Sequence, residues 1–499
     1  MNFLKNKTTE DKIGIIFYIL GLIYIGILTY IGLTKLGLWY DEIFSIGISQ
    51  LPLNELMDLG TRDVHPLLYY FIFKGFIKIF AIFNFTDIVM IGKFLSILPF
   101  YLLFVLALTK VRENWGILTG GIFALCISSM PQLMLYGVEI RMYSLALFFI
   151  TTSFIYMYEI IKTPNTKNWA ILTILTICSA YTHYFSGVAS FSLYFIFLVY
   201  ILCYNRDLLK KWIISASIAI LSFIPWLFIV FGQLTEIQGN YWIDPISLKT
   251  VISYVYYILS PANIMIKANE LVNPTILGTL FLISLIILII YYLRDKKEFK
   301  FNFALIGIAA FLMVPIIGIS ISLIHTPIFH HRYIIPTLGL LWLGISIILS
   351  KYYTKKEIFI PILVLILAIG MIGTINFINI ENEEFKNTIE KKESLNNIIG
   401  EGNVIFYDSF PIYFELSTYY LKNNHHLTWH EDIINNIIMA LEDPGIKNEI
   451  ETGSKVYFVD SDESQYQEGI ESGLIFEKKD ITYTSHDIKE YEIYEIKVK

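Results

Sequence analysis

The chain has 499 residues, of which 55% are hydrophobic and 16% charged, and its mean hydropathy is +0.60. These values exclude an ordinary soluble globular protein, and a formal net charge of −6 gives no support to a nucleic-acid partner. Cys126, Cys178 and Cys203 all fall in apolar runs, where a thiol packs as a small hydrophobe, so they point neither to a disulfide framework nor to a thiolate metal site.

A helix needs about 20 apolar residues to cross about 30 Å of hydrocarbon. Eleven runs meet that need: 13–33, 88–108, 115–135, 142–160, 168–184, 186–204, 212–231, 275–293, 303–324, 334–350 and 357–378. The first is too long for a signal peptide and has no small-residue cleavage site, so it reads as a retained helix. Between the first two runs lies a loop, 34–87, whose apolar stretch 66–83 is short and carries Lys74 and Lys78. Four residues apart on one helical face, these lysines predict a helix lying along the membrane surface rather than a crossing.

Lys5/Lys7/Lys12, Lys110/Arg112, Lys162/Lys167, Arg206/Lys210/Lys211, Arg294/Lys296/Lys297/Lys300 and Lys351/Lys355/Lys356 fall in alternate loops. By the positive-inside rule these loops and the N-terminus are cytoplasmic, and an odd number of crossings puts the C-terminal tail outside. The external segment 232–274 carries Trp242, Asp244 and Pro245, with a short helix around 248–259 that could cap a cavity. From about 380 the chain becomes charged and punctuated by Gly and Pro; 403–407, 455–459 and 491–498 read as strands and 432–441 as a helix, which predicts a small α/β domain over 380–499 beside a membrane domain over 1–379.

The residues capable of chemistry gather on the external side. Trp39-Tyr40-Asp41-Glu42 sets two adjacent carboxylates just past the first crossing, where charge is costly and is normally kept for a water-filled or substrate-filled cavity. The same loop ends in Asp63-Val64-His65-Pro66, the next external turn carries Glu139-Ile140-Arg141-Met142-Tyr143, and His183-Tyr184 closes a crossing. A last cluster, His330-His331-Arg332-Tyr333, precedes another crossing, and Lys93 sits just inside the second. Each has a structural alternative: a capped helix for Asp41-Glu42, an ion pair for Glu139 and Arg141, interfacial anchoring for His330 to Tyr333, packing for His183 and snorkelling for Lys93.

Taken in order, Trp39-Tyr40-Asp41-Glu42, Asp63-Val64-His65-Pro66-Leu67-Leu68-Tyr69-Tyr70, Glu139-Ile140-Arg141-Met142-Tyr143, Thr182-His183-Tyr184 and Arg332-Tyr333-Ile334-Ile335-Pro336 resemble the protein O-mannosyltransferase and aminoarabinose transferase superfamily. The likeness covers roughly residues 10–350 and implies a polytopic α-helical protein of the GT-C fold. It also implies transfer of a sugar from a polyprenyl-phosphate donor to a glycan, lipid or protein acceptor at the outer membrane face. Relatives commonly carry arginine at the start of the second crossing, where this chain has Lys93; lysine keeps the charge but lacks the bidentate fork for phosphate.

Roles follow from the chemistry. A phosphate leaving group needs cations more than a proton donor, a task that suits Arg141 and Arg332, with Lys93 as a third cation. A weakly nucleophilic acceptor needs a base, and Asp41 is the choice, with Glu42 orienting it or the acceptor. Asp63, His65, Glu139, Tyr143, His183, His331 and Tyr333 are expected to position substrate. Direct displacement would invert the anomeric centre. No cofactor is required, although Asp41, Glu42 and His65 are of the right types to hold a divalent metal. The alternatives are a lipid-linked sugar flippase and an oligosaccharide transferase using a lipid diphosphate. A flippase sits poorly with ionisable residues gathered at one membrane face rather than near its midplane.

Overall fold

The computed structural model describes residues 8–35, 37–237, 243–259, 272–295, 302–428, 432–461, 463–485 and 489–497. Trp242, Lys5, Lys7, Lys296, Lys297 and Lys300, all named above, and the last position of the expected strand 491–498 lie outside the described residues.

Two compact units divide the chain: one runs to Thr34 and resumes over Pro52–Ile380, and the other combines Lys35–Leu51 with the chain from Glu381 onward. The first is all helix. Each of the eleven expected runs forms a helix or a bent pair of helices. Among the described residues nine helices are long and apolar enough to cross a membrane, and a tenth arises if Ile117–Ser129 and Pro131–Val138, bent by 61°, count as one. The eleventh expected crossing is the helix Thr166–Thr182, whose 17 residues span about 26 Å at the α-helical rise. The expected surface helix is Leu68–Ile82, which buries Tyr69, Tyr70 and Phe73 on one face.

Close backbone approach holds the first helices together. Thr9–Thr34 packs along Ile117–Ser129 with Gly14 against Gly121, so any side chain at either position would collide with the other backbone. Deeper in, Phe154 stacks on Phe303 at 4.0 Å, and Trp342 is wholly buried in the helix that follows the turn His331–Thr337.

Three of the basic loops meet at one end of this unit. Lys110 pairs with Glu159 at 3.3 Å, Lys162 Nζ donates to Asn114 at 2.7 Å, and Lys211 Nζ donates to the Pro164 carbonyl at 2.8 Å. Helix Tyr143–Lys162 carries this cluster at its C-terminal end, and its 20 residues place Tyr143 about 30 Å away at the other.

In the second unit, β1 (Val404–Tyr407) pairs in parallel with β2 (His425–Thr428) and β3 (Val456–Asp460); β4 (Phe476–Ser485) and β5 (Lys489–Ile496) complete the order β2-β1-β3-β5-β4, with β5 antiparallel to both neighbours. Side chains alternate across β1, so Ile405 and Tyr407 join a core with Leu395, Ile412 and Leu416, while Val404 and Phe406 join Ile433, Ile434 and Ile437 on the opposite face. This is the small α/β fold expected of the tail. Among the elements not read from the sequence are the continuation of the last crossing helix from Lys356 to Ile398 and a helix at Tyr40–Gln50 that joins the tail's unit.

Candidate active site

At the end of the first unit remote from the basic loops, four turns converge, each delivering polar side chains just before a helix begins. The first follows helix Leu53–Arg62, whose end is closed by Asp63 N–H donating to the Leu59 carbonyl at 3.2 Å; Pro66 then delays the next helix until Leu68. Tyr70 in the first turn of that helix donates its hydroxyl to Asp63 Oδ2 at 3.0 Å, and His65 Nδ1 lies 3.4 Å from the same oxygen. Gln233, arriving from another helix, donates to the carbonyls of Thr61 and Asp63 and accepts from the Tyr184 hydroxyl, which Trp226 Nε1 also reaches at 3.1 Å. The Asp63 to His65 turn is thereby fixed from three helices.

The second turn exists because the chain bends at Met130-Pro131 and ends its short helix at Val138, leaving Glu139 extended. Arg141 N–H closes back on the Glu139 carbonyl at 2.7 Å, and Ser96 Oγ donates to that carbonyl at 2.5 Å. Gly92 has no side chain because Ile140 and Phe73 occupy the space: a Cβ there would stand 2.7 Å from Ile140 Cγ2. Lys93 therefore lies on a helix pressed against this turn, and with only 2% of its surface exposed it does not snorkel.

His183 forms the third turn, between helices Thr166–Thr182 and Tyr184–Tyr204, and its Nδ1 accepts from Phe185 N–H at 3.2 Å. Its neutral form consequently carries the proton on Nε2. The ring lies 5.7 Å from that of His65, 5.5 Å from Tyr143 and 5.0 Å from Tyr333. The fourth turn, His331–Thr337, sets Arg332 over the Tyr333 ring at 5.9 Å. Its His331 faces Tyr257 at 4.5 Å and His330 at 3.7 Å, so it meets the helix Leu248–Leu259 expected to cap a cavity.

Electrostatics tie the turns into one cluster. The charges of both Arg141 and Arg332 act on His65, on His183 and on Tyr143, and Arg141 acts on Asp63 as well. Burial pushes His65 below its ordinary value of 6.5, and the two guanidinium charges add to that push against the opposing pull of Asp63. For Asp63 burial works upward, but His65, Arg141 and the Tyr70 hydroxyl outweigh it and hold the carboxyl below its ordinary range. Lys93, Arg141 and Arg332 are thus buried in the same unit as Glu139 and the part-buried Asp63. Guanidinium groups placed like Arg141 and Arg332 have the planar geometry to bind a phosphate bidentately.

Thus Asp63, His65, Arg141, Tyr143, His183, Arg332 and Tyr333 come together, with Lys93, Glu139 and His331 on the same turns or packed against them. Asp41 and Glu42 belong to the other unit, on helix Tyr40–Gln50. Glu42 Oε2 accepts from the Trp39 N–H at 3.2 Å, so the helix-capping alternative describes Glu42, while Asp41 stands half-buried in the first turn. Among the described residues no three His, Cys, Asp or Glu side chains are grouped to hold a metal ion. Sequence reading gave Tyr70 no role of its own and missed Gln233 and Tyr257. The available signals were a tyrosine one turn past the Asp63 to Pro66 motif and a lone glutamine at the end of an apolar run.

No protein-family profile matches the sequence, and no curated protein matches it. Solved structures do. ArnT from Cupriavidus metallidurans in the apo state matches with a TM-score of 0.59 at 9% identity, over 95% of this chain and 97% of that one. The same protein bound to undecaprenyl phosphate matches with a TM-score of 0.56 at 11% identity, over the same shares. The archaeal oligosaccharyltransferase AglB from Archaeoglobus fulgidus, in complex with an inhibitory peptide and a dolichol-phosphate, gives 0.47 at 10% identity over 88% of this chain and 69% of that one. The chain has the GT-C fold of ArnT over nearly its whole length.

Proposed function

We propose that this protein is a membrane glycosyltransferase that moves a sugar from a polyprenyl-phosphate donor to an acceptor hydroxyl, on a protein, glycolipid or cell-surface glycan, at the extracytoplasmic face of the cell membrane. The observation that carries this reading is the buried convergence of Arg141 and Arg332 on the His65, His183 and Tyr143 cluster. Such a site favours a phosphate that gains charge as its bond to the sugar breaks. The neighbour crystallised with undecaprenyl phosphate supports a donor of that class. Its remoteness from the basic loops supports a cytoplasmic N-terminus and an extracytoplasmic cluster.

In the proposed reaction the acceptor oxygen attacks the anomeric carbon as the bond from that carbon to the phosphate oxygen breaks. The acceptor proton passes to the Asp41 carboxylate, the polyprenyl phosphate leaves with the bonding pair, and the anomeric centre inverts. Arg141 and Arg332 hold the phosphate, with Lys93 adding charge behind them. Asp63, His65, Glu139, Tyr143, His183, His331 and Tyr333 shape the surroundings of the sugar. Glu42 contributes by fixing the start of the helix that bears Asp41.

The test is to incubate the purified protein with a panel of labelled polyprenyl-phosphate sugars, with and without chelator, and to identify products by mass spectrometry. Label transferred from a monophosphate donor supports the reading. Turnover confined to lipid diphosphates, or lipid movement without bond cleavage, removes it in favour of a ligase or a flippase.

A further inference from the structure

Helix Tyr40–Gln50 and the described residues just before it are fastened at both ends to residues of the tail. At the entry, Lys35 Nζ lies 4.8 Å from the centroid of the Phe385 ring, and a Cβ on Gly37 would stand 3.1 Å from Glu384 Cβ. At the far end, Gly47 receives the ring of Phe414: a Cβ there would stand 2.6 Å from Phe414 Cγ, closer than real carbon contacts allow. Phe414 is itself held from behind, because Glu415 is buried against Lys391 at 2.6 Å, and the Lys391 ammonium also sits over the rings of Tyr420 and Tyr491. Asp41 lies between these two fastenings, with its carbonyl taken by Ser45 Oγ at 2.9 Å.

We propose that Gly47 and Phe414 are positioning residues for transfer, and that the tail serves to hold the Asp41 helix in register. This rests on the reading of Asp41 as the base. The contact admits no side chain on helix Tyr40–Gln50 at this point, so an added methyl must push the helix along or away from the ring and carry Asp41 with it. Displacing a base by about 1 Å is enough to cost on the order of 100-fold in rate. Binding of the donor phosphate is assigned to the other unit and is left intact by that displacement.

The experiment compares Gly47→Ala, Phe414→Ala and the double variant in purified protein of verified thermal stability, reading kcat, KM and the binding of polyprenyl phosphate alone. Gly47→Ala lowers kcat by about 10- to 100-fold with binding of polyprenyl phosphate unchanged. The double variant, in which the removed ring makes room for the methyl, recovers most of the lost kcat. A double variant no better than Gly47→Ala, or a Gly47→Ala protein with unchanged kcat, overturns the proposal. Phe414→Leu guards against misfolding of the alanine variants: it keeps apolar contact and is expected to retain most of kcat. Asp41→Asn separates the two ideas: full activity there removes the base assignment, whereas an inactive Asp41→Asn beside an unaffected Gly47→Ala keeps the base and removes the fastening.

Discussion

Charge is handled differently in the two units. In the helical unit Arg141, Arg332, His65 and His183 lie inside the protein on turns whose backbone geometry is set by several helices, and Lys93 is buried on a helix beside them. In the tail, Lys479 and Lys497 both reach Glu495, at 2.6 and 2.7 Å, and both reach Glu477 as well, along the edge strand β4 and its neighbour β5. The tail network borders solvent, where ion pairs contribute little and blunt a sheet edge against unwanted pairing. The difference is that the first set is buried at the site proposed for the donor phosphate, whereas the second serves the fold of the tail.

That contrast can be broken by substitution. The largest effect is expected at Asp41→Asn, which removes the proposed base and lowers kcat by about 100-fold or more without altering insertion or folding; single-turnover transfer from a purified donor measures it. Next comes Arg332→Ala, with a loss of about 100-fold in kcat/KM for the donor and a smaller change for the acceptor. Equal losses for both substrates would place Arg332 outside the phosphate site. Against these, Lys497→Ala in the tail is expected to leave turnover unchanged.

Two smaller effects sharpen the comparison through stability. His65 is held below 6.5, so below that pH the unfolded chain takes up a proton that the folded chain resists, and stability falls as pH falls. Melting in detergent between pH 7 and pH 5, about the window in which a free histidine titrates, should show this slope, and His65→Asn should flatten it. In the tail the sign has a different origin. Burial works to raise Glu495, but Lys479 and Lys497 outweigh it and bring it from 4.5 down to about 2, so its contribution is present above 4.5 and is lost as pH falls through 2. Being near solvent, that contribution should also shrink with added salt, which the His65 effect should not. The smallest change is expected at Glu42→Ala, a loss of about 0.5–1 kcal/mol from an uncapped helix start.

Much of this was legible along the chain. Eleven apolar runs are a property of composition in a window, and each forms a helix or bent pair, because a backbone in hydrocarbon has to satisfy its own hydrogen bonds. The motifs at Asp63, Arg141, His183 and Arg332 stood out because charge and histidine are costly beside such runs. The strands near 404, 456 and 491 showed as apolar segments between turn residues. Less legible were β2, which is short and polar, and the helix past Ile380, where the apolar signal stops although the backbone pattern continues.

The sequence by itself determined which residues carry charge at helix ends, how many apolar segments there are and where the composition changes, since these depend on neighbours a few positions away. Only the tertiary structure decided which turns meet. Arg141 and Arg332 are separated by several helices along the chain and brought together by packing, and Gln233 reaches Asp63 across a long interval of sequence. Likewise, no local pattern in 35–51 announces that it packs with the tail: Gly47 looks like any helix glycine until the Phe414 ring fills the space its side chain would need. The physical reason is that periodicity records which face of an element is apolar, whereas the partner of that face is chosen by shape and volume among segments distant in sequence.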